Sequence, residues 1–241
     1  MNEQSPKCFC LNRSYALYGA MQFNVLTAKL GLMQDHYLLD IGCGPIRLGR
    51  LLIIYLAPGH YFGIEPDWEP MQTALDMELG QEILDRKRPM FNDNSNFQLT
   101  VFGRKFDFLN ACSVFSHAAP SQIRKCMTQV KQVLEPTGFF VATYCKGENE
   151  LRGSVVPGGE KWENTWCGGA RFYAEQHMVE FVGNAGLICQ KIDITDYYVA
   201  DIEMFKKYQK PGMFRQEWIV ITHPENEQRL EDVLYVREGC T

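Results

Sequence analysis

A chain of 241 residues, 46% apolar and 22% charged, is large enough to bury one substantial core and has the usage of an ordinary globular protein, neither disordered nor fibrous. Its formal net charge of −5 and pI near 5.6 leave no basic field of the kind that neutralising a phosphate backbone requires, so no nucleic-acid partner is expected. The longest apolar runs, such as Leu51 to Ala57, fall far short of the roughly 20 residues that cross a bilayer, and the polar N-terminus lacks a charged-then-apolar secretion pattern. The expectation is a soluble, cytoplasmic protein with no membrane partner.

Nine cysteines is an odd number without the spacing of a disulfide framework, and Cys112, Cys126 and Cys189 fall inside apolar stretches where a reduced thiol is a small hydrophobe. No structural disulfide is expected. The five histidines, His36, His60, His117, His177 and His223, form no close ligand pair, so no metal is expected either. Cys8 and Cys10 make a Cys-x-Cys pair inside an irregular tail, residues 1 to 14, and read as part of a surface or substrate-lid segment.

From Tyr15 the pattern turns helical, with Leu17, Met21 and Val25 spaced by four and Gly31 at the end. Residues 1–36 are therefore a tail and cap helix, and residues 37–241 the main domain. Tyr37 to Ile41 is a short apolar run and reads as a buried strand. Leu48, Leu51, Leu52, Tyr55 and Leu56 repeat at helical spacing until Pro58-Gly59. Tyr61 to Ile64 reads as the next strand, and Trp68, Met71, Leu75 and Leu79 as its helix. The alternation continues with strands at Phe97 to Val101 and Phe106 to Ala111, a helix from Pro120, and a strand at Gly138 to Tyr144. After an insertion at about 147–170 come a helix with Met178, Phe181 and Val182, a strand at Leu187 to Ile192, a polar and aromatic insertion from Asp196 to Pro211, and a strand at Gln216 to Thr222. Strands alternating with helices predict an α/β protein whose mostly parallel, doubly wound sheet carries helices on both faces. The last two strands suit a terminal antiparallel pair.

The most informative segment is Asp40-Ile41-Gly42-Cys43-Gly44-Pro45-Ile46-Arg47-Leu48-Gly49, between the first strand and its helix. Gly42 and Gly44 allow a sharp turn and a close ligand approach, next to the unpaired N–H groups of a helix start. A dinucleotide fingerprint would need a third glycine where Arg47 stands, which weighs against a nucleotide-dependent oxidoreductase. Glu65 ends the second strand, where a carboxylate can accept hydrogen bonds from two vicinal ribose hydroxyls.

Together with the strand-helix order and the segment Phe106 to His117, these residues resemble the class I, Rossmann-like S-adenosylmethionine-dependent methyltransferases over about residues 37 to 145, and more weakly to 222. The resemblance implies a seven-stranded sheet and S-adenosyl-L-methionine as cofactor, with Asp40, Gly42, Cys43, Gly44, Glu65, Pro66 and Ala111 around it. The family often carries glycine where this chain has Ile46. The nucleic-acid amino-methyltransferases of this fold have an Asn/Asp-Pro-Pro-aromatic motif where this chain reads Asn110-Ala111-Cys112-Ser113, so a small-molecule acceptor is expected. A non-catalytic, cofactor-binding subunit of the same fold is the alternative.

Methyl transfer from a sulfonium is an in-line displacement that gains chiefly from alignment and desolvation. An acceptor that must lose a proton needs a base. His117, just past the fourth strand at the carboxyl edge of the sheet, is the candidate catalytic and substrate-contacting residue. Tyr18 and Gln22 on the cap helix, Tyr144, and the stretch Trp162 to Trp166 with Arg171 and Tyr173 nearby are candidates to cover the substrate.

Overall fold

The computed structural model describes residues 13–147, 171–197 and 216–235. Eight strands form a single sheet: β1 (Leu38–Ile41), β2 (Tyr61–Ile64), β3 (Met90–Asn92), β4 (Phe106–Ala111), β5 (Leu134–Lys146), β6 (Phe172–Tyr173), β7 (Ile188–Lys191) and β8 (Gln216–Thr222). The order is β3-β2-β1-β4-β5-β8-β7, with β6 beside the end of β5. All pairings are parallel except those of β8, which runs antiparallel to both β5 and β7, as the sequence pattern suggested for the last strands.

β1 is buried along its whole length because it is covered on both faces, which is why it reads as a continuous apolar run and not as an alternating one. Successive side chains still go to opposite sides. Leu39, Ile41, Leu109, Ala111, Phe140 and Ala142 join one core, and Leu38, Phe108, Phe139 and Val141 join the other.

The first core is closed by helices α5 (Pro120–Val133) and α6 (Glu175–Asn184), through Ile123, Met127, Val130, Met178, Phe181 and Val182. The second is closed by α1 (Arg13–Asn24), α2 (Gly49–Tyr55), α3 (Trp68–Glu78) and α7 (Glu227–Tyr235), through Met21, Leu52, Ile53, Met71, Leu75 and Leu230. α1 runs on into a π-helical turn, Val25–Lys29, and the segment ends at Gly31, whose φ of +75° only glycine adopts freely. α5 starts cleanly because Pro120 occupies its first position and the Gln122 side chain accepts the Ala119 N–H at 2.7 Å.

The strand expected at Phe97 to Val101 is not one. The third strand is the three-residue β3 at the sheet edge, and Leu99–Phe102 forms a 3-10 turn. Phe97 has φ +56°, which breaks extended backbone, and Leu99 is drawn down onto α5, where its N–H meets Gln129 Oε1 at 3.2 Å. Helices α4 (Gln81–Lys87) and α7 were not anticipated; α4 buries none of its residues, while α7 packs Leu230, Val233 and Leu234 on the second core.

The strand order reverses between β1 and β4: β2 and β3 lie on one side of them, β5 and β8 on the other. Chains leaving neighbouring strands in opposite directions open a crevice at the carboxyl ends, the usual ligand position of an open α/β sheet. That crevice lies between the loops after Ile41 and Ala111.

Candidate active site

Two cavities meet in the crevice. The larger, about 430 Å³, is lined by Ile41, Ile64, Glu65, Pro66, Asn94, Ser95, Phe97, Val114 and His117. The smaller, about 300 Å³, is lined by Tyr15, Gln22, Asp40, Cys43, Gly44, Pro45, Arg47, Leu48, Asn110 and Cys112. Gly42 and Ser113 line both and so form the junction.

The turn after β1 holds this arrangement through its glycines. Gly42 has φ +66°, and a Cβ there would lie 2.7 Å from Val114 Cγ2. Gly44 has φ +53° and open space where a Cβ would stand, so the turn forms a cradle that a side chain would fill. Ile46 also has a positive φ, +52°. The position where the resembling family often has glycine is thus left-handed here too, and a β-branched residue holds that strained conformation while fully buried in the core. The helical residues begin only at Gly49, where a Cβ would come within 2.6 Å of the Tyr61 hydroxyl.

That hydroxyl matters because it donates to Asp40 Oδ2 at 3.0 Å, while Asn110 Nδ2 donates to Oδ1 at 2.7 Å. Asp40 is only 2% exposed. Burial pushes its carboxyl up to about 6 against these two hydrogen bonds and the Arg47 guanidinium, which favour the charged form. Asp40 is therefore a buried anion short of a full counter-charge. Burial also raises the thiol of Cys43 beside Asp40 and Glu65, and its sulfur lies 3.7 Å from Met71 Sδ.

Arg47 lies across the smaller cavity, its guanidinium 4.5 Å from the centre of the Tyr18 ring and its Nε 3.3 Å from Gln22 Oε1. Tyr15 reaches the same loop by donating its hydroxyl to the Pro45 carbonyl. α1 thus covers the smaller cavity with Tyr15 and Gln22, while Tyr18 packs on Arg47 beside it. Glu65 faces the cradle from β2: one carboxylate oxygen accepts the Gly44 N–H at 2.9 Å, and the other accepts the Asp67 N–H at 2.9 Å. Each oxygen keeps a lone pair for a ligand.

The structure brings together Asp40, Gly42, Cys43, Gly44, Glu65, Pro66 and, from α1, Tyr18 and Gln22. It corrects the expectation for Ala111, which is fully buried in the first core; the alternation of β4 turns Asn110 and, beyond the strand, Cys112 to the cavity instead. Tyr144 is corrected likewise. It is fully buried on the α5/α6 side of the sheet, its hydroxyl oxygen has no partner among the described residues, and it lines neither cavity. His117 lines the larger cavity with Phe97 and Asn94, on the Glu65 side of the junction. Cys8, Cys10, Trp162 and Trp166 lie outside the described residues. Arg47, Asn110, Ser113, Asn94 and Ser95 were not anticipated. Arg47 stood in view as an obstacle to dinucleotide binding, while Asn110 lies one residue before the anticipated Ala111 and so on the opposite face of the same strand.

Among the described residues no group of three His, Cys, Asp or Glu could hold a metal, and no helix is long and apolar enough to cross a membrane. The described cysteines Cys43, Cys112, Cys126, Cys145 and Cys189 are free thiols.

The sheet order, the glycine cradle at the switch point and the strand-end acids define the Rossmann-like methyltransferase fold. Solved structures agree. Magnesium protoporphyrin IX methyltransferase from Synechocystis with bound S-adenosylmethionine superposes with a TM-score of 0.58 over 92% of this chain and 86% of that one, at 11% identity. 1,6-Didemethyltoxoflavin-N1-methyltransferase from Burkholderia thailandensis gives 0.57 over 89% and 81%, at 15% identity. A glycopeptide N-methyltransferase with bound S-adenosylmethionine gives 0.58 over 87% and 94%, at 14% identity. In sequence, the chain is 26% identical over 123 residues to an uncharacterized methyltransferase of Schizosaccharomyces pombe, a match spanning 50% of this chain and 42% of that protein. No protein-family model matches the chain.

Proposed function

We propose that this protein is an S-adenosylmethionine-dependent methyltransferase acting on a small-molecule acceptor in the cytoplasm. The observation that carries the reading is the pair of cavities sharing Gly42 and Ser113, one charged and one mostly apolar, which match the two ends of the cofactor. S-adenosylmethionine carries an amino-acid end, a sulfonium and an adenosine, and supplies an activated methyl group when bound.

In this reading the ammonium belongs beside Asp40, the buried anion that lacks a counter-charge, and the carboxylate beside Arg47. Glu65 accepts the ribose hydroxyls, and Pro66 and Phe97 wall the adenine. Gly42 and Ser113, which line both cavities, would hold the sulfonium between them, where Gly42 has no Cβ to bar a close approach. We assign His117 to the adenine side, which withdraws it from the base role that its place in the sequence suggested. The chain's contribution to the chemistry is to orient two reactants and exclude water. The likeness to small-molecule methyltransferases supports a small acceptor.

The test is incubation with methyl-labelled cofactor and fractionated cell metabolites. A labelled small product is the expected result. Cofactor binding without any labelled product would favour the non-catalytic subunit, and binding of NAD in place of S-adenosylmethionine would sink the reading.

A further inference from the structure

Asn110 stands opposite Asp40 in the parallel register of β1 and β4, so the two side chains share a face of the sheet, and both line the smaller cavity. Asn110 is 2% exposed. Its Nδ2 donates to Asp40 Oδ1 at 2.7 Å, while among the described residues its Oδ1 has no hydrogen-bond partner. The carboxamide cannot be turned the other way. An ionised carboxylate only accepts, so the nitrogen must face Asp40 and the oxygen is left over. A buried acceptor without a partner keeps the full cost of its desolvation, and its neighbours along β4, Leu109 and Ala111, offer it no donor side chain.

The two residues together specify a ligand chemistry. Asp40 accepts one hydrogen bond on each oxygen, from Tyr61 and from Asn110, and each oxygen keeps a further lone pair. Arg47 crosses the same cavity, but it gives its Nε to Gln22 and lays its guanidinium on the Tyr18 ring. A water molecule could bridge Asp40 and Asn110 Oδ1, yet it would bring no charge to the buried carboxylate. A group that carries a positive charge and more than one N–H meets both needs, and a primary ammonium is such a group.

We propose that Asn110 is a specificity-determining residue whose Oδ1 accepts a hydrogen bond from the primary ammonium of the cofactor, while its Nδ2 holds Asp40 in place to meet that ammonium's charge. The inference rests on the reading that the two cavities hold S-adenosylmethionine. It makes the smaller cavity selective for a free amino group. A ligand of the same length without one would leave both Asp40 and Asn110 Oδ1 buried and unmet.

The test titrates two ligands by calorimetry into the full chain: S-adenosylhomocysteine, and its des-amino analogue, which keeps the carboxylate and lacks only the amino group. The proteins are the native chain, Asn110→Leu, which keeps the volume of the side chain, and Asn110→Ser, which gives volume up but places no apolar group beside Asp40. The native protein should prefer S-adenosylhomocysteine to the analogue by about tenfold or more, the usual scale for a hydrogen bond to a charged group. Each variant should lose about tenfold or more in affinity for S-adenosylhomocysteine and nothing in affinity for the analogue. Equal affinity of the native protein for the two ligands, or unchanged S-adenosylhomocysteine affinity in the variants, overturns the role of Asn110 and leaves cofactor binding standing. An equal loss for both ligands also overturns it, since Asn110 would then only brace the strand. A native protein that binds neither S-adenosylhomocysteine nor S-adenosylmethionine overturns both readings.

Discussion

Asp40 sits where two demands conflict. Its carboxyl is raised from 3.8 to about 6 by burial, so the native state holds its proton more tightly than the unfolded chain does. The stability this contributes is complete below about pH 4 and is lost as the pH rises to about 6, which leaves a cost of about 3 kcal/mol at pH 7. Asp40→Asn should therefore stabilise the ligand-free protein at pH 7 by about 1–3 kcal/mol in denaturant unfolding. The same change should weaken S-adenosylmethionine binding by about 1–3 kcal/mol in calorimetry. Because an ammonium prefers the ionised carboxylate, native affinity should also fall about tenfold per unit as the pH drops below 6, with proton release on binding near that value. Affinity flat from pH 5 to 8 would contradict an ammonium at Asp40. Ile46 poses a different balance. Glycine there would relieve about 1–2 kcal/mol of left-handed strain, but deleting a fully buried side chain costs about 2–5 kcal/mol. Ile46→Gly is expected to lower stability by about 1–3 kcal/mol, and a rise in its unfolding midpoint would show that strain outweighs packing.

At the scale of elements, α1 is bound to the turn after β1 more closely than a covering helix needs to be. Gly19 lies so near the loop that a Cβ there would stand 2.5 Å from the Arg47 carbonyl oxygen, a backbone atom that cannot step aside. Gly19→Ala should push α1 off the loop and separate Tyr18 from Arg47. Stopped-flow displacement should then show S-adenosylmethionine leaving the variant faster than the native protein by about tenfold, with limited proteolysis cutting first around α1. An unchanged release rate would mean that α1 is not part of the cofactor's enclosure. β3 teaches the reverse lesson about elements. Met90-Phe91-Asn92 is short and partly exposed, so it has no apolar run to betray it, and it pairs because β2 offers an open edge. Phe97, Leu99 and Val101 alternate like a strand yet turn as a 3-10 helix, because α5 offers Leu99 a buried seat and Val101 stays 40% exposed.

For the molecule as a whole, the two cavities are lined from β1, β2, β4, the loops after them and α1, so a ligand that fills both ties these elements together. S-adenosylhomocysteine at one hundred times its dissociation constant stabilises a protein by about 2.7 kcal/mol, which for a chain of this size corresponds to about 5–10 °C in thermal unfolding. The expected result is a shift of that order with S-adenosylhomocysteine and none with NAD. A shift with NAD alone would return the oxidoreductase to favour.

The strand-helix rhythm, the glycine turn after Asp40 and the strand-ending Glu65 were legible in the chain because each depends on short-range physics: apolar periodicity, backbone freedom, and an acid closing an apolar strand. Those signals sufficed for the class of fold and for the glycine turn and strand-ending acid that line the two cavities. They did not reach contacts made across the sheet. Only the packed structure decides that Ala111 faces the core while Asn110 meets Asp40, that Tyr144 belongs to the α5/α6 side, and that Gln216, more than a hundred positions along the chain from Ser113, closes the same edge. Which face a strand residue serves, and which distant residue stands beside it, follow from register and layer, and no local pattern encodes either.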